Sequence, residues 1–148
     1  MIYKHTQIGY LIIFILLVTV LYFGIIFTYA ESSLIAVIVM ILILILLASF
    51  ATLNVLIDEN YLQIKFGYGI FKKHFILKEI ISVRIVKNHW YYGWGIRLWW
   101  WPRMVIYNIS GFDAVEIKIK NGKIYRIGTD EPEKLEYAIA QVINKNRF

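Results

Sequence analysis

Two long apolar runs without any charged residue fill most of the first third of the chain, and they constrain its fold more than any other feature. Residues 8–29 and residues 34–53 contain no Asp, Glu, Lys or Arg. A helix needs about 20 apolar residues to cross the hydrocarbon core of a bilayer. Only residues 30–33 separate the two runs. We therefore expect residues 1–53 to form a tight transmembrane hairpin with spans at about 8–29 and 34–53.

The distribution of basic residues predicts the orientation of this hairpin. Lys4 precedes the first run, the link between the runs has no Lys or Arg, and every other basic residue follows the second run. Because basic flanks remain in the cytoplasm, we expect a multi-pass protein of the inner (cytoplasmic) membrane with both termini in the cytoplasm. A signal peptide cleaved near Ala30 is the alternative. Its apolar core would be unusually long, and Tyr29 is bulky for a cleavage site.

Residues 54–148 predict a β-rich domain, and they carry the net charge of +6 because Lys4 and Glu31 cancel. Short runs of alternating apolar and polar residues, separated by turn residues, are typical of strands. The predicted strands are residues 54–57, 61–66, 70–77, 79–86, 104–109, 115–120 and 124–127. The pair Asn121-Gly122 favours a tight hairpin turn between the last two.

The last predicted element is an amphipathic helix. Asp130 can cap its first turn, Glu133 completes a capping box, and Pro132 occupies a position where its missing N–H costs nothing. Apolar residues then recur at helical spacing on one face: Leu135, Ala138, Ile139, Val142 and Ile143. We expect this face to be buried against the strands.

About seven strands followed by one amphipathic helix resemble the pleckstrin-homology-like (PH-like) barrel. Several short stretches occur in order: Gly93-Trp94-Gly95-Ile96-Arg97, Tyr107-Asn108-Ile109-Ser110-Gly111, Ala114-Val115-Glu116, Gly122-Lys123 and Ile127-Gly128-Thr129-Asp130-Glu131-Pro132. Together they look like a family of small bacterial membrane-anchored PH-domain proteins, from about Leu53 onward. That family has little assigned function, so the resemblance implies fold and location: an α+β membrane protein with a two-helix transmembrane hairpin, then a PH-like β-barrel or sandwich of about seven antiparallel strands in residues 54–148, on the cytoplasmic side.

Residues 89–103 hold all five tryptophans and are more aromatic than that family pattern. Strand alternation places the connection after Val86, and the Gly67-Tyr68-Gly69 turn, at the membrane-facing end. Trp and Tyr prefer the headgroup region, and Arg side chains can reach lipid phosphates. We predict a membrane-interface or lipid-contact surface comprising Tyr68, Trp90, Tyr91, Tyr92, Trp94, Arg97, Trp99, Trp100, Trp101 and Arg103. Alternatively, these aromatic residues fill the core or line a ligand pocket such as an aromatic cage for a cationic headgroup.

The sequence predicts no catalytic residue, no metal site and no cofactor. Cysteine is absent, and His5, His74 and His89 lie far apart without the spacing of metal ligands. The acidic residues lie mainly in turns or at the start of the helix, where turn and capping roles explain them. Exposed aromatic rings beside basic residues could stack on bases, but a bilayer accounts for them better, so we expect no nucleic acid partner.

The expected function is a membrane-anchored, non-enzymatic PH-like interaction module on the cytoplasmic face. It would contact the lipid bilayer and bind a membrane or cytoplasmic protein partner, or serve as a subunit of a membrane complex. The alternative is a binder of anionic lipid headgroups or of a small ligand through the Trp/Arg-rich loop. A partner module should show an exposed apolar patch or sheet edge away from the bilayer. A ligand binder should show a concave pocket in which aromatic residues and arginines converge.

Overall fold

The computed structural model describes residues 2–31, 33–101 and 103–145. The helices are α1 (Tyr10–Tyr29), α2 (Leu34–Ser49) and α3 (Pro132–Lys145). The strands are β1 (Tyr3–Ile8), β2 (Thr52–Ile57), β3 (Tyr61–Phe66), β4 (Lys72–Ile76), β5 (Ile80–Lys87), β6 (Gly95–Trp99), β7 (Met104–Asn108), β8 (Asp113–Ile119) and β9 (Ile124–Gly128). The α+β class, the N-terminal apolar helix and the C-terminal helix are thereby confirmed.

The strands form two separate sheets that do not close into a barrel. Their orders are β1-β2-β3-β4 and β5-β8-β9-β7-β6. All neighbouring strands are antiparallel except β7 and β9, which are parallel. The prediction of about seven antiparallel strands in a barrel or sandwich is therefore corrected: the described residues form nine strands in two sheets, β7 and β9 are parallel, and no barrel closes. The two strands that it missed are β1, whose short polar sequence precedes a long apolar run, and β6, which lies inside the tryptophan-rich segment.

The two N-terminal helices occupy the place of a turn between adjacent strands. β1 and β2 pair along their whole length, from Tyr3 opposite Ile57 to Ile8 opposite Thr52. Gly9 N–H donates to the Ala51 carbonyl at 2.8 Å, directly beyond the last strand pair. Both helices therefore leave the domain at one end of the first sheet, which we call the helix end. The sequence predicts that residues 1–53 form the helical hairpin. In the structure, β1 belongs to the first sheet and β2 begins at Thr52, inside the expected second span.

Only one of the described helices is long and apolar enough to cross a membrane. This is α1, and its apolar window is 6% buried. The second helix, α2, is also apolar but has 16 residues, a length of roughly 24 Å at 1.5 Å per residue. The hydrocarbon core is about 30 Å thick, so α2 is shorter than the expected span 34–53. Its start is well defined, because Ser33 Oγ accepts from the Ala36 N–H at 3.2 Å.

The core lies between the two sheets and beneath α3. Alternate residues of β2 and β3 point inward, and Phe75 of β4 packs edge-on against Tyr125 of β9 at 4.7 Å between ring centres. The predicted apolar face of α3 is confirmed as buried: Leu135, Ala138, Ile139, Val142 and Ile143. This helix packs on β5 and β8. Burial, and secondarily the neighbouring Tyr125, raises the pKa of Tyr107 to about 12.

Candidate functional site

The connection between β5 and β6 brings most of the tryptophan-rich segment onto the outer face of the second sheet. Because β5 and β6 are the two edges of that sheet, the connection must pass β8, β9 and β7. It starts at the helix end, where Asn88 N–H donates to the Phe112 carbonyl at 2.6 Å. Farther along, the Tyr92 ring lies 5.7 Å from the guanidinium carbon of Arg126 on β9 and 4.9 Å from the Trp99 ring on β6.

This crossing covers part of the sheet, so some of the predicted surface serves packing. Ile106 and Met104 of β7 are buried. They alternate with Val105 and Tyr107, which pack in the main core, and they therefore face the outer side. Tyr92 and Trp99 are half-buried on the same side. These two rings therefore pack on the outer face of the second sheet and lie outside the main core.

A buried ion-pair cluster lies next to this crossing. Glu116 is 6% exposed, and its carboxylate accepts from Arg84 Nε and from Arg126 Nε, both at 2.8 Å. Arg126 also donates to the Asn88 side chain at 3.4 Å. Because Arg126 contacts both Asn88 and Tyr92, the cluster holds the crossing in position. No spacing in the sequence indicates it, since its members come from three different strands.

A concave groove of about 620 Å³ opens between the crossing and the β6–β7 hairpin. Its lining residues are Tyr91, Tyr92, Gly93, Arg97, Leu98, Trp99, Trp100 and Trp101. Five of the eight are aromatic. Desolvation, and then the adjacent Tyr92, raises the pKa of the Tyr91 hydroxyl.

Among the described residues that line this groove, Arg97 carries the one charged side chain. Its Nε donates to the Trp94 carbonyl at 3.2 Å. Arg97 on β6 is paired with Ile106 on β7, and Ile106 is paired with Arg126 on β9. Arg126 in turn is paired with Glu116 on β8. Three strand spacings, about 14 Å, therefore separate Arg97 from Glu116. Within the described part of the chain, no carboxylate lies within ion-pair distance of Arg97, so its charge is available to an anion.

Two of the predicted residues, Tyr68 and Trp94, lie at the helix end. The turn that carries Tyr68 approaches α2 closely, because a Cβ at Gly67 would be 2.5 Å from the Ser49 carbonyl oxygen. Trp94 precedes Gly95, where a Cβ would be 4.0 Å from the Phe50 ring. Two further exposed residues, Ile70 and Phe112, share this end. We call the four residues together the collar: Tyr68, Ile70, Trp94 and Phe112.

The remaining predicted residues lie elsewhere. β6 runs from Gly95 at the helix end to Trp99, so Trp100 and Trp101, which are 92% and 90% exposed, lie at the opposite end of the domain. Arg103 borders a separate hollow beside the Asn121–Lys123 turn and does not line the groove. The Trp90 ring is exposed and packs edge-on against Tyr91. The residues predicted as one surface are therefore divided among the collar, the groove and the hollow beside Arg103, and Trp90 lies outside all three.

In the residues that the structure describes, no group of three or more His, Asp or Glu side chains is arranged so that it could hold a metal ion. His5 contacts Asp130 at 2.5 Å and Glu131 at 3.4 Å. These two contacts connect β1 to the start of α3. Comparison of the chain with protein-family models, with curated proteins and with solved structures finds no match.

Proposed function

We propose that this chain is a membrane-anchored, non-enzymatic interaction module with a PH-like domain on the cytoplasmic face of the inner membrane. One observation carries the proposal: an apolar helix pair is built into the first sheet between β1 and β2. The large side chains of α1 are exposed, among them Phe14, Leu17, Leu21, Tyr22 and Ile25. A helix that is apolar on all sides requires apolar surroundings, and a bilayer supplies them.

The strand pairing also supports two membrane passages. If α1 crosses the bilayer, the chain must return, because β2 pairs with β1 beside the start of α1. α2 is the segment that returns it, and a short span is accommodated by local thinning of the bilayer. Cleavage after α1 would remove β1 and its contacts, such as the hydrogen bond from Gln7 Nε2 to Ser110 Oγ at 3.1 Å. The signal-peptide alternative is disfavoured for that reason.

Anchoring of this kind would hold the domain directly on the membrane surface. One residue, Gly9, joins β1 to α1, and two residues join α2 to β2. The collar would then lie at headgroup level, where Trp and Tyr side chains are favoured. The groove and the exposed Trp100 and Trp101 would face the cytoplasm, because they lie toward the other end of β6. Exposed apolar surface away from the bilayer is what a partner-binding module requires.

Cysteine accessibility tests the anchoring, since the native chain has no cysteine. Single cysteines replace Glu31, between the helices, and Lys120, near the far end of the domain. We expect a membrane-impermeant maleimide to label the Glu31→Cys protein in intact cells and the Lys120→Cys protein only after permeabilisation. Labelling of Lys120→Cys in intact cells would contradict the cytoplasmic orientation. Release of the protein by carbonate extraction would contradict the anchoring itself.

A second candidate function is recognition of an anionic headgroup or small ligand in the groove. The observation that favours it is the Arg97 side chain, which lies among aromatic rings without a carboxylate partner in the described residues. Titration of the solubilised full chain with glycerol phosphate, followed by tryptophan fluorescence, tests it. We expect Arg97→Gln to weaken binding about tenfold and Arg103→Gln, which lies outside the groove, to leave binding unchanged. Equal effects of the two substitutions would exclude this site.

A further inference from the structure

The two sheets differ in width, and the wider one extends beyond the other on the side away from α3. The first sheet has four strands and the second has five. Ile96 and Leu98 of β6 lie opposite Tyr107 and Val105, so they belong to the inner face. Even so, 75% of Leu98 and 36% of Ile96 is exposed. The first sheet ends at β4 and leaves this inner surface uncovered.

The backbone of β4 presents the groups that a fifth strand would need. Phe66 N–H donates to the Phe71 carbonyl, and Leu77 N–H donates to the Asn60 carbonyl. Residues 71, 73, 75 and 77 therefore bond toward β3, because hydrogen-bonded pairs alternate along an antiparallel ladder. Lys72, His74 and Ile76 direct their N–H and C=O groups to the other side. In the described residues no strand lies there.

A cavity of about 200 Å³ separates the β4 edge from β6. Phe71 and Lys73 line one side, and Ile96 and Tyr107 line the other. A strand spacing is about 4.8 Å, so one strand added to β4 would pass over the mouth of this cavity. Its inward side chains would contact Ile96 and Leu98.

The charge of the β4 edge indicates which kind of strand fits. Lys72, Lys73 and His74 are consecutive and exposed. In the described part of the chain, no carboxylate lies within ion-pair distance of any of the three. Lys72 also lies directly opposite Lys65 of β3, and like charges in that position repel. Pairing of β4 with β4 of a second copy would add further lysines to this edge, so an acidic strand is favoured over a second copy.

We propose that β4 accepts an extended segment of a partner protein in which apolar side chains alternate with Asp or Glu. The backbone of the segment pairs with Lys72, His74 and Ile76, its apolar side chains cover Ile96 and Leu98, and its carboxylates lie on the opposite face, beside Lys72 and His74. Addition of a strand to an exposed sheet edge is an established mode of peptide recognition. The inference rests on the proposed function, because it describes the chemistry of the protein partner that the module would bind.

The test uses the full-length protein in detergent micelles and a ten-residue peptide of alternating Glu and Val. The control peptides alternate Lys and Val, or carry five Glu followed by five Val. We expect the Glu–Val peptide to bind at least tenfold more tightly than either control. It should also slow amide hydrogen exchange at Lys72, His74 and Ile76. Equal binding of the Lys–Val peptide, or protection confined to other strands, would overturn the proposal. Protection of the same amides by protein concentration alone would identify a second copy as the occupant.

Two variants test the β4 edge and the inner surface of β6 separately. His74→Pro removes an N–H that faces the open edge and leaves the bonds to β3 in place, whereas Leu98→Ser removes inner apolar surface without changing β4. Each should weaken binding about tenfold. Ile85→Ser, at the opposite edge of the second sheet, is the matched control and should change nothing. A result in which Leu98→Ser binds as the native protein does would also overturn the proposal. Labelling at Glu31 and Lys120 reports anchoring independently of this result.

Discussion

Replacement of Gly67 by alanine tests the contact between the helix pair and the β domain. Gly67 has φ +43°, and a Cβ at this position would lie 2.5 Å from the Ser49 carbonyl oxygen and 3.0 Å from the Ser49 Cα. Both are backbone atoms, so the turn and the end of α2 must move apart. Gly122 is the matched control because it also has positive φ, +83°, and nothing lies within 4 Å of its Cβ position.

The structure separates two contributions to the cost. An alanine at positive φ costs about 1–2 kcal/mol, and this is the whole cost expected for Gly122→Ala. The close approach at Gly67 adds the cost of overpacking, about 1–3 kcal/mol. For a domain of this size, 1 kcal/mol lowers Tm by about 4–8 °C. Gly67→Ala should therefore melt about 4–24 °C below Gly122→Ala.

Thermal unfolding in detergent, followed by tryptophan fluorescence, measures this difference. All five tryptophans lie between residues 90 and 101, so the signal reports on the β domain and not on α1 or α2. Equal melting temperatures for the two variants would refute the reasoning. They would mean that the turn does not press on the end of α2.

Two further outcomes follow from buried groups. Glu116→Ala leaves Arg126, whose side chain is 15% exposed, without its carboxylate and should lower the free energy of unfolding by about 3 kcal/mol. Arg84→Ala, with a side chain 68% exposed, should cost less than about 1 kcal/mol, and equal losses in urea unfolding would contradict this. Because the pKa of Tyr107 is raised to about 12 by burial, the unfolded chain loses its proton first, and stability should fall between about pH 10 and pH 12. Tyr107→Phe should reduce that fall in unfolding midpoints compared at pH 9 and pH 11, and an unchanged fall would show that Tyr107 is not responsible.

Local pattern predicted some elements of the fold well. The stripe from Leu135 to Ile143 recurs at helical spacing, and α3 buries that face. The Asn121-Gly122 pair lies in the turn between β8 and β9, but only Gly122 has positive φ, so the turn is not the type I′ turn that this pair favours. β6 was missed because Arg97 and the surrounding tryptophans do not alternate in polarity, although cross-strand pairing with β7 makes them a strand.

The candidate site was predicted less well than the fold. Composition alone identified the aromatic residues, but the prediction assigned residues 89–103 to one surface. β6 carries the chain from one end of the domain to the other, and this separates Trp94 from Trp100 and Trp101. Arg97 and Arg103, six positions apart, border different hollows for the same reason.

The sequence by itself determined the apolar character of α1 and α2, the net positive charge of the domain and the amphipathic face of α3, because each depends on residues close together in the chain. Only the tertiary structure decided that β1 and β2 pair around the helix pair, that β7 and β9 run parallel, and that β4 and the inner face of β6 lack a neighbour in the described residues. These features arise from hydrogen bonds between residues far apart in sequence, and such pairing leaves no periodic signal in either segment alone.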